Sequence, residues 1–161
     1  MKEEIVIYTD GSSLGNPGPG GFAAVMRYKD FYKELSGGYK KTTNNRMELM
    51  AVIAALEALN AMAEDKLIRI FTDSTYVMHA VTKGWVFNWQ KKGFKEKANP
   101  DLWRRFLKIY PKYDVEFEWV KGHSGVKENE RCDVLAKKAA QGKNLIIDSG
   151  FNEKKENPGL F

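Results

Sequence analysis

Apolar positions fall into short runs whose period changes along the chain, with Gly, Pro and Asp marking the breaks. Ile5-Val6-Ile7-Tyr8-Thr9 predicts a strand stopped at Asp10-Gly11, and the Gly- and Pro-dense stretch from Gly11 to Gly21 predicts a loop. Phe22 to Tyr28 and Phe31 to Leu35 flank Lys29-Asp30 and predict a hairpin. The polar stretch Lys40 to Asn45 supplies N-cap chemistry for a helix from Met47 to about Ala63. That helix is apolar on nearly every face, which predicts central burial. Ile68 to Thr72 and Val115 to Val120 predict two further strands. Thr75 to Thr82, Leu102 to Tyr110 and Glu128 to Gln141 predict helices. Nothing divides the chain, so residues 1–151 are expected to form one domain, with the polar stretch 152–161 fraying behind it.

One pattern occurs twice. Ile5 to Ser12 and Ile68 to Thr75 both read I-x-I-aromatic-T-D-small-hydroxyl. Parallel pairing in register would set Asp10 beside Asp73 at the carboxyl ends of strands roughly 4.8 Å apart. A three-strand meander ends on the edge where the first strand ends, so the following helix would start there and cross back to a parallel fourth strand. Glu48, in the first turn of that helix, lands near both aspartates. At about 100° per residue Glu57 points the opposite way, to solvent. The last helix buries Cys132, Leu135, Ala136 and Ala139 and carries Asp133 one step off that stripe. Asp10, Glu48, Asp73 and Asp133 are thus expected to converge on one edge.

Composition narrows the classes. The 161 residues are 43% hydrophobic and 29% charged, ordinary for a single folded domain. A formal charge of +5 permits a polyanionic partner without requiring one. The single cysteine excludes an internal disulfide framework, and Cys132, His79 and His123 are too few for a structural zinc cage. No apolar run approaches the ~18 residues of a membrane span, and no signal-peptide core follows Met1, so a cytoplasmic protein is expected.

Any one of the four acids alone reads as an ordinary strand stop or helix cap. Together they repel, because like charges disfavour joint ionisation. A hard divalent cation relieves that, and oxygen-only ligands suit Mg²⁺ or Mn²⁺. Two such ions about 4 Å apart would hold an attacking water and a leaving oxygen in phosphodiester hydrolysis.

Tyr8-Thr9-Asp10-Gly11-Ser12, Asn16-Pro17-Gly18, Thr42-Thr43-Asn44-Asn45-Arg46-Met47-Glu48-Leu49, Thr72-Asp73-Ser74, Trp119-Val120-Lys121-Gly122-His123 and Glu128-Asn129-Glu130-Arg131-Cys132-Asp133 together resemble bacterial-type ribonuclease H (RNase HI) from about Ile5 to Ala140. The resemblance implies an α/β fold with a five-stranded mixed sheet, the antiparallel meander plus parallel strands, flanked by helices. It implies metal-dependent cleavage of the RNA strand of an RNA/DNA hybrid, leaving 5′-phosphate and 3′-hydroxyl ends, by a monomer without a small-molecule cofactor. By the same resemblance Asp10, Glu48, Asp73 and Asp133 hold two Mg²⁺ ions, and His123 assists proton transfer or product release. Ser13, Asn16, Asn44 and Asn45 face the RNA strand, where an amide suits a 2′-hydroxyl that both donates and accepts. Lys41, Thr43 and Asn99 form a pocket for a DNA phosphate, Lys41 standing where relatives often carry Arg. Trp85, Trp89, Lys91, Lys92, Phe94 and Lys95 form a basic, aromatic segment that grips the DNA strand, although packing of Trp85 or Trp89 inward competes with that role.

Rival readings are weaker. Gly18-Pro19-Gly20-Gly21-Phe22-Ala23 fits a dinucleotide-binding pattern, which needs a helix directly after it, and a strand is predicted there. Cys132 lies on a buried stripe, a poor place for a nucleophile. A silent hybrid-binding module would keep the groove but has no reason to keep all four acids.

Overall fold

The computed structural model describes residues 2–122 and 125–151. Three strands open the chain: β1 (Glu4–Ser13), β2 (Gly18–Tyr28) and β3 (Phe31–Thr42). Helix α1 (Asn44–Glu57) leads through a short 3₁₀ turn to β4 (Leu67–Thr72). Helices α2 (Thr75–Thr82), α3 (Trp85–Lys91) and α4 (Pro100–Ile109) follow, then β5 (Asp114–Trp119) and α5 (Lys127–Ala140). The sheet order is β3-β2-β1-β4-β5, with β1–β2 and β2–β3 antiparallel and β1–β4 and β4–β5 parallel. This is the mixed five-stranded sheet expected. The tail 152–161 lies outside the described residues.

The first loop is much shorter than its composition suggests. Asp10-Gly11 does not stop β1, which runs on to Ser13 opposite Gly20 of β2. Glycine is poor in isolated strands, but here the neighbouring backbone supplies the ladder and the missing side chain lets α1 approach. A β-carbon at Gly11 would collide with the backbone of Met47 and Glu48. Strand β3 likewise extends past Leu35 to Thr42.

Helix α1 starts three residues earlier than expected and stops at Glu57 rather than near Ala63. Thr43 is its N-cap, its hydroxyl accepting from the Arg46 N–H. Met47, Leu49, Val52, Ile53 and Leu56 are all at most 1% exposed, each contributing roughly 1.5–3 kcal/mol of burial. Glu57 points outward as expected and pairs with Arg105 of α4 at 2.6 Å. Helix α5 covers the opposite face of the sheet, where Cys132 and Ala136 pack on Ala23 and Val25. Beyond α5 the chain returns along β3: the Lys40 N–H donates to the Ile146 carbonyl at 2.7 Å and covers part of that edge. Among the described residues no helix is long and apolar enough to cross a membrane.

Candidate active site

The register Ile5↔Ile68 through Tyr8↔Phe71 is the one the repeated motif predicts, and it brings Asp10 level with Asp73. Asp73 sits in a tightly held turn. The Thr72 hydroxyl accepts from the Ser74 N–H at 3.0 Å, and the Ser74 hydroxyl caps α2 through the Val77 N–H at 3.2 Å. Glu48 enters from the first turns of α1 and is 9% exposed. Oxygens of Asp10, Glu48 and Asp73 all lie within 4.8 Å of one another. The Gly11 N–H bridges the first two, donating to Asp10 Oδ1 at 2.9 Å and to Glu48 Oε1.

These acids are crowded, and Asp10 and Glu48 are buried. Burial pushes the Asp10 carboxyl up to about 7, and the charges of Asp73 and Asp133 add to the rise against the opposing bond from Glu48. Burial, followed by the charge of Asp10, raises Glu48 well above the usual carboxylate range. Oxygen donors of this kind, drawn from three separate elements, fit a hard divalent cation. The fit rests on the donor set and its spacing.

Asp133 is not part of that trio. Its Oδ2 pairs with Lys137, four residues on along α5, at 3.0 Å. Its charge reaches Asp10 while its carboxylate also pairs within α5, a pairing that helical spacing favours. Three of the four expected acids therefore meet and the fourth stands beside them. His123 lies outside the described residues. Gly122, just before it, passes close over Asp73: a β-carbon there would be 3.0 Å from the carboxylate.

The asparagines form a small network along the rim. Asn44 Oδ1 accepts from the Ser13 N–H at 2.8 Å and the Ser13 hydroxyl at 3.0 Å. The Asn44 N–H donates to Asn16 Oδ1 at 3.0 Å, tying the β1–β2 loop to the start of α1. Asn45 is exposed beside them, as is Lys41 near the end of β3.

Two assignments need correction. Phe94 is 5% exposed and packs in the main core under the Arg104 guanidinium, 5.0 Å away, so its ring has no free face for a nucleotide. Its position after a run of lysines hid that, because the turn following α3 folds it back inward. Asn99 is 1% exposed: its Nδ2 donates to the Tyr76 hydroxyl at 3.0 Å and its Oδ1 accepts from Arg46. It is held between Arg46 and Tyr76 and has no open face of the kind expected of a phosphate contact. In the basic segment Trp89 does turn inward, edge-on to Trp103 at 6.0 Å, while Trp85 stays 44% exposed under Lys83. Lys91, Lys92 and Lys95 are exposed. Cys132 is inert, since burial raises its thiol to about 12.

Sequence reasoning missed Arg46. It is 1% exposed, in the first turn of α1, and held by Asp101 and Asp148. An arginine in the first turn of an otherwise largely apolar helix opposes the helix dipole, and that anomaly was the signal the sequence offered.

Comparison with known proteins agrees with this geometry. A family model described as RNase H matches residues 2–141. The Ribonuclease H of Syntrophus aciditrophicus is 48% identical over 155 residues, covering 93% of this chain and 88% of the relative. Among solved structures, LC9-RNase H1, a type 1 RNase H with the type 2 active-site motif, superposes with a TM-score of 0.79 at 30% identity, covering 100% of this chain and 82% of that one. LC11-RNase H1, crystallised in complex with an RNA/DNA hybrid, superposes with a TM-score of 0.65 at 26% identity, covering 85% of this chain and 96% of that one. With its fold, its carboxylate edge and its sequence all in agreement, the chain belongs to the RNase H family.

Proposed function

We propose that this RNase H hydrolyses the RNA strand of RNA/DNA hybrids at the Asp10–Glu48–Asp73 edge, with Mg²⁺ as the working metal and Mn²⁺ as a substitute. The observation that carries this is the trio itself: three carboxylates within 4.8 Å, two of them pushed upward by burial and mutual repulsion. Asp10, Glu48 and Asp73 would hold the ions, with Asp133 joining at the loss of its Lys137 pair. When bound, such a cation offsets the crowded charge, polarises the phosphodiester and favours deprotonation of water.

The chain's own residues do the rest. Water adds to phosphorus, the P–O3′ bond breaks, and the leaving 3′-oxygen takes a proton, which gives 3′-hydroxyl and 5′-phosphate ends. His123 is the candidate for that proton traffic or for product release. Asn16, Asn44, Asn45 and Ser13 line the RNA side, where a 2′-hydroxyl can be read by both donor and acceptor groups. Lys41 and Thr43, braced by Asn99, receive a DNA phosphate. Trp85 and the lysines 91, 92 and 95 hold the DNA strand through contacts that carry no sequence information. Residues 1–151 carry the activity, as a cytoplasmic monomer without an organic cofactor.

A strand-labelled cleavage assay on hybrid, duplex DNA and duplex RNA, with Mg²⁺ or chelator, tests the reading. The expected result is metal-dependent cutting of RNA in the hybrid alone. Hybrid binding with no cutting under any divalent metal would replace it with a silent binding module.

A further inference from the structure

The C-terminal stretch after α5 lies beyond residues 2–141 matched by the family model, yet it brings one carboxylate to the start of α1. We propose that Asp148 is a positioning residue for the DNA-phosphate pocket, acting through Thr42 and Arg46 on Lys41, Thr43 and Asn99. The inference rests on the reading of that pocket given above.

Both oxygens of Asp148 are engaged, and its side chain is 8% exposed. Oδ2 accepts from Arg46 Nε and from the Thr42 hydroxyl, each at 2.7 Å, and Oδ1 accepts from Arg46 Nη2 at 2.8 Å. The remaining guanidinium hydrogens go to Asp101, at 2.9 and 2.7 Å, and to Asn99 Oδ1 at 3.3 Å. Every N–H of Arg46 is thereby used. Asn99 holds a left-handed backbone (φ 61°, ψ 39°), a conformation uncommon outside glycine that persists where surroundings over-determine it. Arg46 on one side and the Tyr76 hydroxyl on the other supply that restraint.

Asp101 alone already meets Arg46 through two bonds, so an ion pair sufficient to bury the guanidinium exists without Asp148. What Asp148 adds is the link to Thr42, which is fully buried between Lys41 and Thr43. It fixes the backbone that presents the phosphate contacts. The stretch bearing it is itself pinned, at Ile146 along β3 and at Gly150, where a β-carbon would collide with the Asp101 carboxylate. Loss of the Asp148 charge should loosen the pocket while Asp101 keeps Arg46 paired.

The test uses the full chain and hybrids whose DNA strand carries one methylphosphonate, moved along the strand. In the unaltered protein one position should raise KM about tenfold, and Lys41→Ala should abolish that sensitivity. Asp148→Asn, and independently Thr42→Val, should raise KM on ordinary hybrid about fivefold with kcat within about twofold, and should shrink the methylphosphonate penalty to about twofold. Arg131→Gln, which breaks a remote surface pair with Glu34, should do neither. If no methylphosphonate position matters in the unaltered protein, the pocket reading fails and the inference falls with it. If Lys41→Ala behaves as stated but Asp148→Asn lowers only the melting temperature, keeping KM and the full penalty, Asp148 is merely structural and the inference alone is overturned.

Discussion

Two charge clusters form around Arg46 and Glu48 in the first two turns of α1, separated by a single residue, and they are balanced in opposite ways. Around Arg46 one cation meets two carboxylates, and every donor has an acceptor. Around Glu48 three carboxylates face one another, and the carboxyls of Asp10 and Glu48 are driven toward the protonated form. Arg46, Asp10 and Glu48 are buried, so each would be costly if left as a bare charge. The first is resolved by the chain itself and holds elements together. The second is left for something that arrives, and that residual repulsion is the mark of a binding edge.

The contrast breaks most sharply at Asp10. Asp10→Asn removes one carboxylate of the unresolved cluster, which the proposed function makes a metal ligand, so kcat should fall by at least about 10³-fold. Hybrid affinity should stay within about fivefold, read by anisotropy under chelator. Retained turnover would move the reaction elsewhere.

Arg46→Ala attacks the resolved cluster and should behave inversely. It strands Asp148 and Asp101 beside each other, and should lower stability by about 3–5 kcal/mol in urea denaturation. A loss under about 1 kcal/mol would mean that the guanidinium contributes little net support.

A third experiment uses the sign of the Asp10 shift. Its folded carboxyl titrates near 7 against an ordinary value of 3.8, so the folded state keeps a proton that the unfolded chain releases. That contribution is fully present below the ordinary value and is lost as pH rises through about 7. Metal-free Asp10→Asn should therefore match the unaltered protein near pH 4 and exceed it by about 1–3 kcal/mol near pH 8. Adding Mg²⁺ should raise the melting temperature of the unaltered protein more than that of the variant. Equal stability at both pH values would show that the trio is not crowded in solution.

The smallest effects belong to the exposed lysines. Neutralising Lys91, Lys92 and Lys95 should flatten the slope of log affinity against log salt by up to about 2.7, with stability unchanged. An unaltered slope would place the DNA-strand contacts on another surface.

Much of the carboxylate edge was legible because it is encoded locally. The repeat at Ile5 and Ile68 gives equal offsets from strand start to aspartate, so parallel pairing sets Asp10 against Asp73 without further information. Glu48 and Glu57 were separated by helical angle alone, and the structure places one inside and one at the Arg105 pair. Where periodicity was the only guide, it erred in identifiable ways. Asp10-Gly11 reads as a strand stop, yet β2 continues the ladder past it. Phe94 reads as part of a basic surface, yet the turn after α3 returns it to the core.

What the chain by itself determined was the order of elements, the in-register aspartates and the acid at the start of the buried helix, since each depends on residues within one or two segments. Tertiary structure decided which acids from distant segments meet. It set Asp10, Glu48 and Asp73 together and brought Asp148 to Arg46 across 102 residues of sequence, whereas the Asp133–Lys137 pair needs only the i, i+4 spacing of α5. Local periodicity fixes which face a side chain takes, but a charge finds its partner only when packing has chosen which faces meet.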